Sequence, residues 1–266
     1  SFVDLSGQVR TTERDDPEAV TWTLSPAGAR LQARVGGSVP GQLDVVRFWR
    51  RVDDPRLLAG YALVDACRSV GIAVRGEVRA GRAPPGEPLA THPSLPLARL
   101  LHALGKDSNN FYAEMVFKSL GAGDRGEPAS WEAARTKVQG LLEEHELAEG
   151  IDARNGSGLF EGGTLSARAV VRLLAAAHAD PRVGPELVSQ LAIGGTDGTL
   201  RQRLRPWRAS RAIRAKSGTL AAVSALSGYL LGPSGRTLAF SVLVNDVRGQ
   251  AVPLRNDIDT FVSAVA

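Results

Sequence analysis

Two apolar stretches, Leu220–Leu231 and Thr237–Asn245, are joined by the turn GPSG, and this pattern restricts the fold most. The spacing predicts an antiparallel hairpin. A lone hairpin is marginal in water, so it needs cover. The rest of the chain offers that cover. The stretches SLPLARLLHALGK, SNNFYAEMVFKSLGA and PASWEAARTKVQGLLEEHEL carry apolar residues at helical spacing, as does Ser166 to His178. The first of these is expected to end near Gly105 and the second before Gly121, with Ser108 near the start of the second. Ser130 reads as the cap of the third. Val252 to Val265 reads as a last helix. Helices, then a hairpin, then a helix describe an α+β fold, with helices on the faces of an antiparallel sheet.

The first third has a different texture. SFVDLSG, TWTLSP and ARLQARVGG read as short strands, and PRLLAGYALVDACRSVG as a helix stopping at Gly71. IAVRGEVRAG alternates and reads as a strand pair. GRAPPGEP, residues 81–88, is dense in Pro and Gly and reads as the connection between two regions, 1–85 and 86–266.

Composition excludes several classes. The chain is 43% hydrophobic, enough to bury a core. The single cysteine, Cys67, rules out an internal disulfide and a cysteine-rich zinc site. His92, His102, His145 and His178 form no HExxH-type pair, so neither a zinc hydrolase nor a Ser-His-Asp triad has support. No run reaches the length of a membrane span. SFVDLSGQVR lacks the basic flank and apolar core of a signal peptide, and the start reads as the cut end of a longer chain. The net charge of +4 is a mild arginine excess that permits an anionic partner without requiring one.

Four stretches carry candidate chemistry. KSGT, residues 216–219, puts a full charge and two hydroxyls at the head of an apolar run. Either Lys216, Ser217, Gly218 and Thr219 edge a cleft where a ligand backbone approaches, or Lys216 is a surface residue at a strand start. In SNN, residues 108–110, either Ser108 relays a proton and Asn110 holds an amide, or Ser108, Asn109 and Asn110 are simply good caps for the helix that follows. The glycine-rich RNGSGLFEGGTLS and IGGTDGTLRQRL lack the Gly-Lys-Ser/Thr of a phosphate loop and read as tight turns. Arginines 201, 203, 205, 208, 211 and 214 surround Trp207, which reads as a solvated face rather than a nucleic-acid surface.

Taken in order, these motifs resemble the penicillin-binding-protein 4 family, the D-alanyl-D-alanine carboxypeptidases/endopeptidases of peptidase family S13. GIAVRGEVRAGRAPPGEPLATHPSLPLARLLHALGKDSNNFYAEMV resembles the approach to that family's SxN motif. RNGSGL resembles its DGSGL, with Asn155 for Asp. GGTDGTLRQRL and AKSGTLAAVSALSGYL resemble the run into its KTG motif, with Ser217 for Thr, and LAFSVLVND its last strand. The resemblance covers about residues 55–246.

It implies a β-lactamase/transpeptidase-like fold with part of an inserted accessory domain on the N-terminal side. It also implies an extracytoplasmic, active-site-serine enzyme that is acylated by penicillin and uses SxxK, SxN and KTG motifs. By position, Ser108 and Lys216 would be catalytic, with Asn110 holding the substrate amide. Ser217, Gly218 and Thr219 would take the terminal carboxylate, and the Thr219 N–H would join the oxyanion hole. The implied partners are D-Ala-D-Ala stem peptides of peptidoglycan and β-lactams. No cofactor, metal, nucleic acid or membrane span is implied.

No serine here has a lysine three residues on, so SxxK is missing from these 266 residues. The expectation is a C-terminal portion of a larger enzyme, completed by its N-terminal segment, or a homologue that binds peptidoglycan without catalysis. On its own the chain is expected to be inactive.

Overall fold

The computed structural model describes residues 2–13, 19–27, 30–41, 55–82, 85–123, 127–159, 163–247, 249–250 and 252–266. The chain forms two compact units, Ser1–Thr91 and His92–Ala266. The division lies beyond the stretch 81–88 where the sequence reading set the boundary.

In the first unit, β1 (Val3–Gly7), β2 (Arg10–Thr12) and β3 (Ala19–Ala27) all pair with β4 (Arg30–Pro40). β1 and β2 run parallel to β4 at Leu31–Val35 and Ser38–Pro40, and β3 runs antiparallel along Arg30–Ser38. Helix α1 (Leu58–Ser69) follows. The strand pair expected over 72–81 does not form. Gly76 interrupts it at φ +95, and Ile72 and Val74 remain exposed. Val78 instead fills the notch at Gly60 of α1, where a Cβ would lie 2.5 Å from its Cγ1. Alternation marks a strand only when a neighbour supplies hydrogen bonds, and Val78 found a helix.

The second unit opens with α2 (Leu97–Asp107), α3 (Asn110–Leu120) and α4 (Trp131–Glu144). A small ribbon of β5 (Ile151–Ala153) and β6 (Gly163–Leu165) leads into α5 (Ala167–Ala179) and α6 (Gly184–Gln190). The chain then builds an antiparallel sheet of β7 (Ala192–Ile193), β8 (Ile213–Leu220), β9 (Val223–Leu231) and β10 (Thr237–Val244), in the order 10-9-8-7. Helix α7 (Leu254–Val265) ends the chain. Ser130 caps α4 as expected, accepting from the Ala133 amide at 3.1 Å, and Ser166 caps α5 in the same way, accepting from the Ala169 amide at 3.1 Å.

Alternation within the strands gives the sheet two covered faces. Ile213, Ala215, Leu226 and Leu230 turn to one side, where Ile258 and Val262 of α7 close the core with Leu200 and Leu204. On the other side α5 packs against β9 and β10, and Tyr229 donates its hydroxyl proton to the Leu174 carbonyl at 2.7 Å. The expected α+β arrangement therefore holds. No helix among the described residues is long and apolar enough to cross a membrane.

The expected first hairpin strand, Leu220–Leu231, is really β9, and KSGT does not stand at its mouth. A two-residue turn at Ala221–Ala222, with Leu220 facing Val223, separates β9 from β8. Lys216 lies in the middle of β8. Two alanines carry none of the Gly, Asn or Pro chemistry that normally marks such a turn.

Candidate active site

The junction between α2 and α3 puts one candidate in an unusual conformation. Asn109, not Ser108, caps α3: its side chain accepts from the Tyr112 amide at 3.1 Å. Ser108 is left between the helices with φ 56 and ψ 47. That left-handed geometry costs a non-glycine residue on the order of 1 kcal/mol or more. It also frees the hydroxyl from capping. Asn110 sits exposed on the first turn of α3.

β8 brings the second candidate to the first. Lys216 is half-buried, and its Nζ donates to Ser108 Oγ at 2.6 Å and to the Ser217 carbonyl at 2.7 Å. Burial pulls the ammonium down to about 8. With Lys216 occupying a lone pair of Oγ, the Ser108 proton is free to point toward a third group. Ser108 and Lys216, 108 residues apart in the chain, thus meet in one hydrogen-bonded pair.

A third element locks this pair. α2 meets α6 backbone to backbone: a Cβ on Gly105 would lie 2.4 Å from the Gln190 carbonyl oxygen. The next residue, Lys106, is buried and pairs with Asp197 at 2.7 Å. Asp197 also accepts from the Ile193 amide at 2.7 Å. Burial pushes this carboxyl up, but Lys106 and the Ile193 amide outweigh it and hold it below the usual carboxylate range. Gly198 then passes over the end of α2 at φ +53, where a Cβ would meet the Lys106 carbonyl oxygen at 2.4 Å. The next residue, Thr199, receives the Ser217 hydroxyl proton, Oγ to Oγ1, at 2.7 Å. The loop IGGTDGTL, which reads as mere turns, therefore ties α2 to β8. Sequence reasoning missed Lys106, Asp197 and Thr199, and only the TDGT run upstream of KSGT hinted at the last two.

RNGSGL has a comparable bracing role. Ser157 donates its amide and hydroxyl to Glu114 of α3, at 3.0 and 2.5 Å, and Trp131 Nε1 donates to the same carboxylate at 3.0 Å. Burial raises the Glu114 pKa, and these hydrogen bonds outweigh it and bring it below the ordinary value. Gly156 touches α3, with room for no Cβ beside the Ala113 carbonyl. Asn155 closes its own loop, bonding the Leu159 carbonyl and the Gly158 amide.

Among the described residues, β7 covers only Arg214 and Ala215 of β8, through Ile193 and Ala192, and no strand pairs with the outer edge of β8 beyond Ala215. Gly218 is exposed there, while Ser217 and Thr219 are half-buried. An extended peptide could add to such an edge as a further strand. The hollow beside β5 and β6, lined by Gly150, Asp152, Thr164 and Ser166 among others, holds none of these residues.

The remaining candidates turn inward or to solvent. Arg203 grips Asp259 with two bonds, at 2.8 and 3.1 Å, and Trp207 donates to Ser263 at 3.1 Å. Arg201, Arg205, Arg208 and Arg211 are exposed. His178 packs on Tyr229, and His145 ends α4. The described residues contain no cluster of metal-ligating side chains.

Comparison with known proteins agrees with the fold of this chain. Penicillin binding protein 4 (dacB) from Haemophilus influenzae superposes with a TM-score of 0.71 over 99% of this chain and 60% of its own, at 20% identity. A structure of that protein complexed with a novel beta-lactam superposes at 0.68 over 98% of this chain and 63% of its own, at 22% identity. At these identities the likeness is one of fold. A D-alanyl-D-alanine carboxypeptidase of Actinomadura sp. is 37% identical over 85% of this chain, and Carboxypeptidase DacB of Mycolicibacterium smegmatis is 33% identical over 74%. The chain spans 43% and 44% of those two relatives. The model of the D-Ala-D-Ala carboxypeptidase 3 (S13) family matches from residue 5 to residue 265, nearly end to end, and it is to this family that the chain belongs.

Proposed function

We propose that the chain supplies the SxN and KTG motifs of a serine D-Ala-D-Ala carboxypeptidase that acts outside the cytoplasm on peptidoglycan stem peptides and is acylated by β-lactams. The 2.6 Å bond between Lys216 Nζ and Ser108 Oγ carries this reading, because it joins the two motifs into one proton path. The nucleophilic serine and its lysine base belong to a part of the protein that these 266 residues do not include.

The reaction has two steps. The nucleophile adds to the carbonyl of the penultimate D-Ala, the amide C–N bond breaks, and an acyl ester forms. Ser108, its hydroxyl oriented by Lys216, passes a proton to the departing D-Ala amine. Water then hydrolyses the ester and restores the serine. Lys216 lowers the cost of the anionic transition state. Asn110 holds the substrate amide, and the open edge at Gly218 admits its backbone. Ser217 and Thr219 receive the terminal carboxylate. The Thr219 N–H shares the oxyanion hole.

The test uses the full-length gene product. Incubation with benzylpenicillin is expected to add one penicilloyl mass to a peptide outside residues 1–266. Ser108→Ala is expected to slow release of D-Ala by about 10²- to 10⁴-fold, the range for a positioned acid–base group. An adduct on a serine of this chain, or an unimpaired Ser108→Ala variant, would overturn the reading.

A further inference from the structure

We infer that Arg255 gives the site its preference for a leaving group with a free carboxylate. The inference rests on the proposed function. The observation is a contact between α7 and β8: Arg255 Nε donates to Thr219 Oγ1 at 3.3 Å.

Strand parity explains why the contact falls there. Ile213 and Ala215 point toward α7 and its core residues Ile258 and Val262. Ser217 and Thr219, two and four residues on, continue along that face, while Lys216 emerges on the other and reaches Ser108. The strand thus carries a cation on each side. Lys216 serves the proton path, and Arg255 flanks the hydroxyls assigned to the carboxylate.

Arg255 has the properties such a residue needs. It is half-buried, yet it makes no ion pair among the described residues. Arg203, its neighbour in space, shows the contrast, since its Nε and Nη2 both donate to Asp259. A partly buried guanidinium without a counter-ion is costly, and an arriving carboxylate removes that cost. Its planar fork suits a carboxylate, with further N–H donors beyond the one on Thr219. The support is rigid: Asp259 and Ser263, farther along α7, are bonded to Arg203 and Trp207, and Ile258 is 3% exposed. Ser224, paired in register with Thr219, is 1% exposed, and its hydroxyl has no partner among the described residues, so this corner has polar capacity to spare.

The ligand class is therefore a peptide whose residue after the scissile bond bears a free α-carboxylate. The same peptide blocked as a carboxamide has the same shape and no charge. The test titrates an N-acyl-D-Ala-D-Ala acid and its carboxamide into the full-length protein, as parent, Arg255→Ala and Arg255→Lys. A charge-assisted hydrogen bond predicts that the parent prefers the acid, and that Arg255→Ala cuts this preference by about 10- to 100-fold. Arg255→Lys restores part of it, having charge without the fork. An equal preference in the parent and Arg255→Ala overturns the inference and leaves the proposed function standing. A parent that binds neither peptide overturns the inference, and the penicilloyl mass assay then decides the proposed function on its own.

Discussion

Replacing Asp197 by alanine should destabilise the second unit more than removing its partner Lys106. The asymmetry follows from exposure: the Lys106 side chain is 7% exposed and that of Asp197 33%. Breaking a fully buried pair costs about 3–5 kcal/mol, most of it from the charge left behind. In Asp197→Ala that orphan is the enclosed ammonium, and the Ile193 amide also loses its acceptor, worth about 1 kcal/mol. Allowing for the water that reaches Asp197, the loss is about 2–4 kcal/mol. In Lys106→Met an apolar chain fills the buried slot, and the orphan is a carboxylate that water and the Ile193 amide still solvate, for about 1 kcal/mol. At about 2–4 °C per kcal/mol, Asp197→Ala should lower Tm by about 4–16 °C and Lys106→Met by about 2–4 °C. Asp197→Asn keeps an oxygen for Ile193 and should fall between them. The Asp197 pKa is depressed in the folded state, so the pair's contribution is full above 3.8 and fades as pH falls through the folded value. Thermal melts of the three variants at neutral pH decide the matter. If Asp197→Ala and Lys106→Met melt together, or if Lys106→Met is the worse, the assignment of cost to the buried ammonium is wrong.

Other outcomes can be checked in the same preparations. Lys216 loses its proton near pH 8 when folded and near 10.5 when unfolded, so the unfolded chain binds more protons in between and stability rises with pH, by at most about 3 kcal/mol. Urea midpoints between pH 8 and 9.5 should rise in the parent relative to Lys216→Met. Gly198→Ala should lower Tm and activity together, because its Cβ meets the Lys106 carbonyl and its φ is +53. Ser130→Ala removes a cap and should cost about 1 kcal/mol with kcat/KM unchanged, since α4 holds none of the candidate site residues.

The elements legible in the sequence were those that announce themselves locally. α4 and α5 have Ser130 and Ser166 ahead of an apolar period, and β9 and β10 flank a Gly/Pro turn. The β8–β9 turn has only two alanines, and the run 72–81 has alternation without a pairing strand. The site followed the same rule. Ser108 and Lys216 stand out through their motifs, but the structure supplies their meeting. Lys106 and Asp197 are 91 residues apart, Ser217 and Thr199 18, and Arg255 and Thr219 36. No local period marks such pairs, because each is chosen by what the sheet brings opposite it. The SNN motif shows how a local rule can mislead by one position: all three residues make good caps, and the helix took Asn109.

Ser108 is held where glycine would be more comfortable. Mutation there has two opposed consequences. Ser108→Gly would relieve the backbone and discard the hydroxyl, so the better-folded protein would be the disabled one. A library of variants screened only for heat resistance would drift toward that glycine. One screened for the proposed D-Ala release would be expected to hold the serine and accept the softer fold. Sequences that had escaped the second demand would be recognisable by what they carry at position 108 before any assay was run.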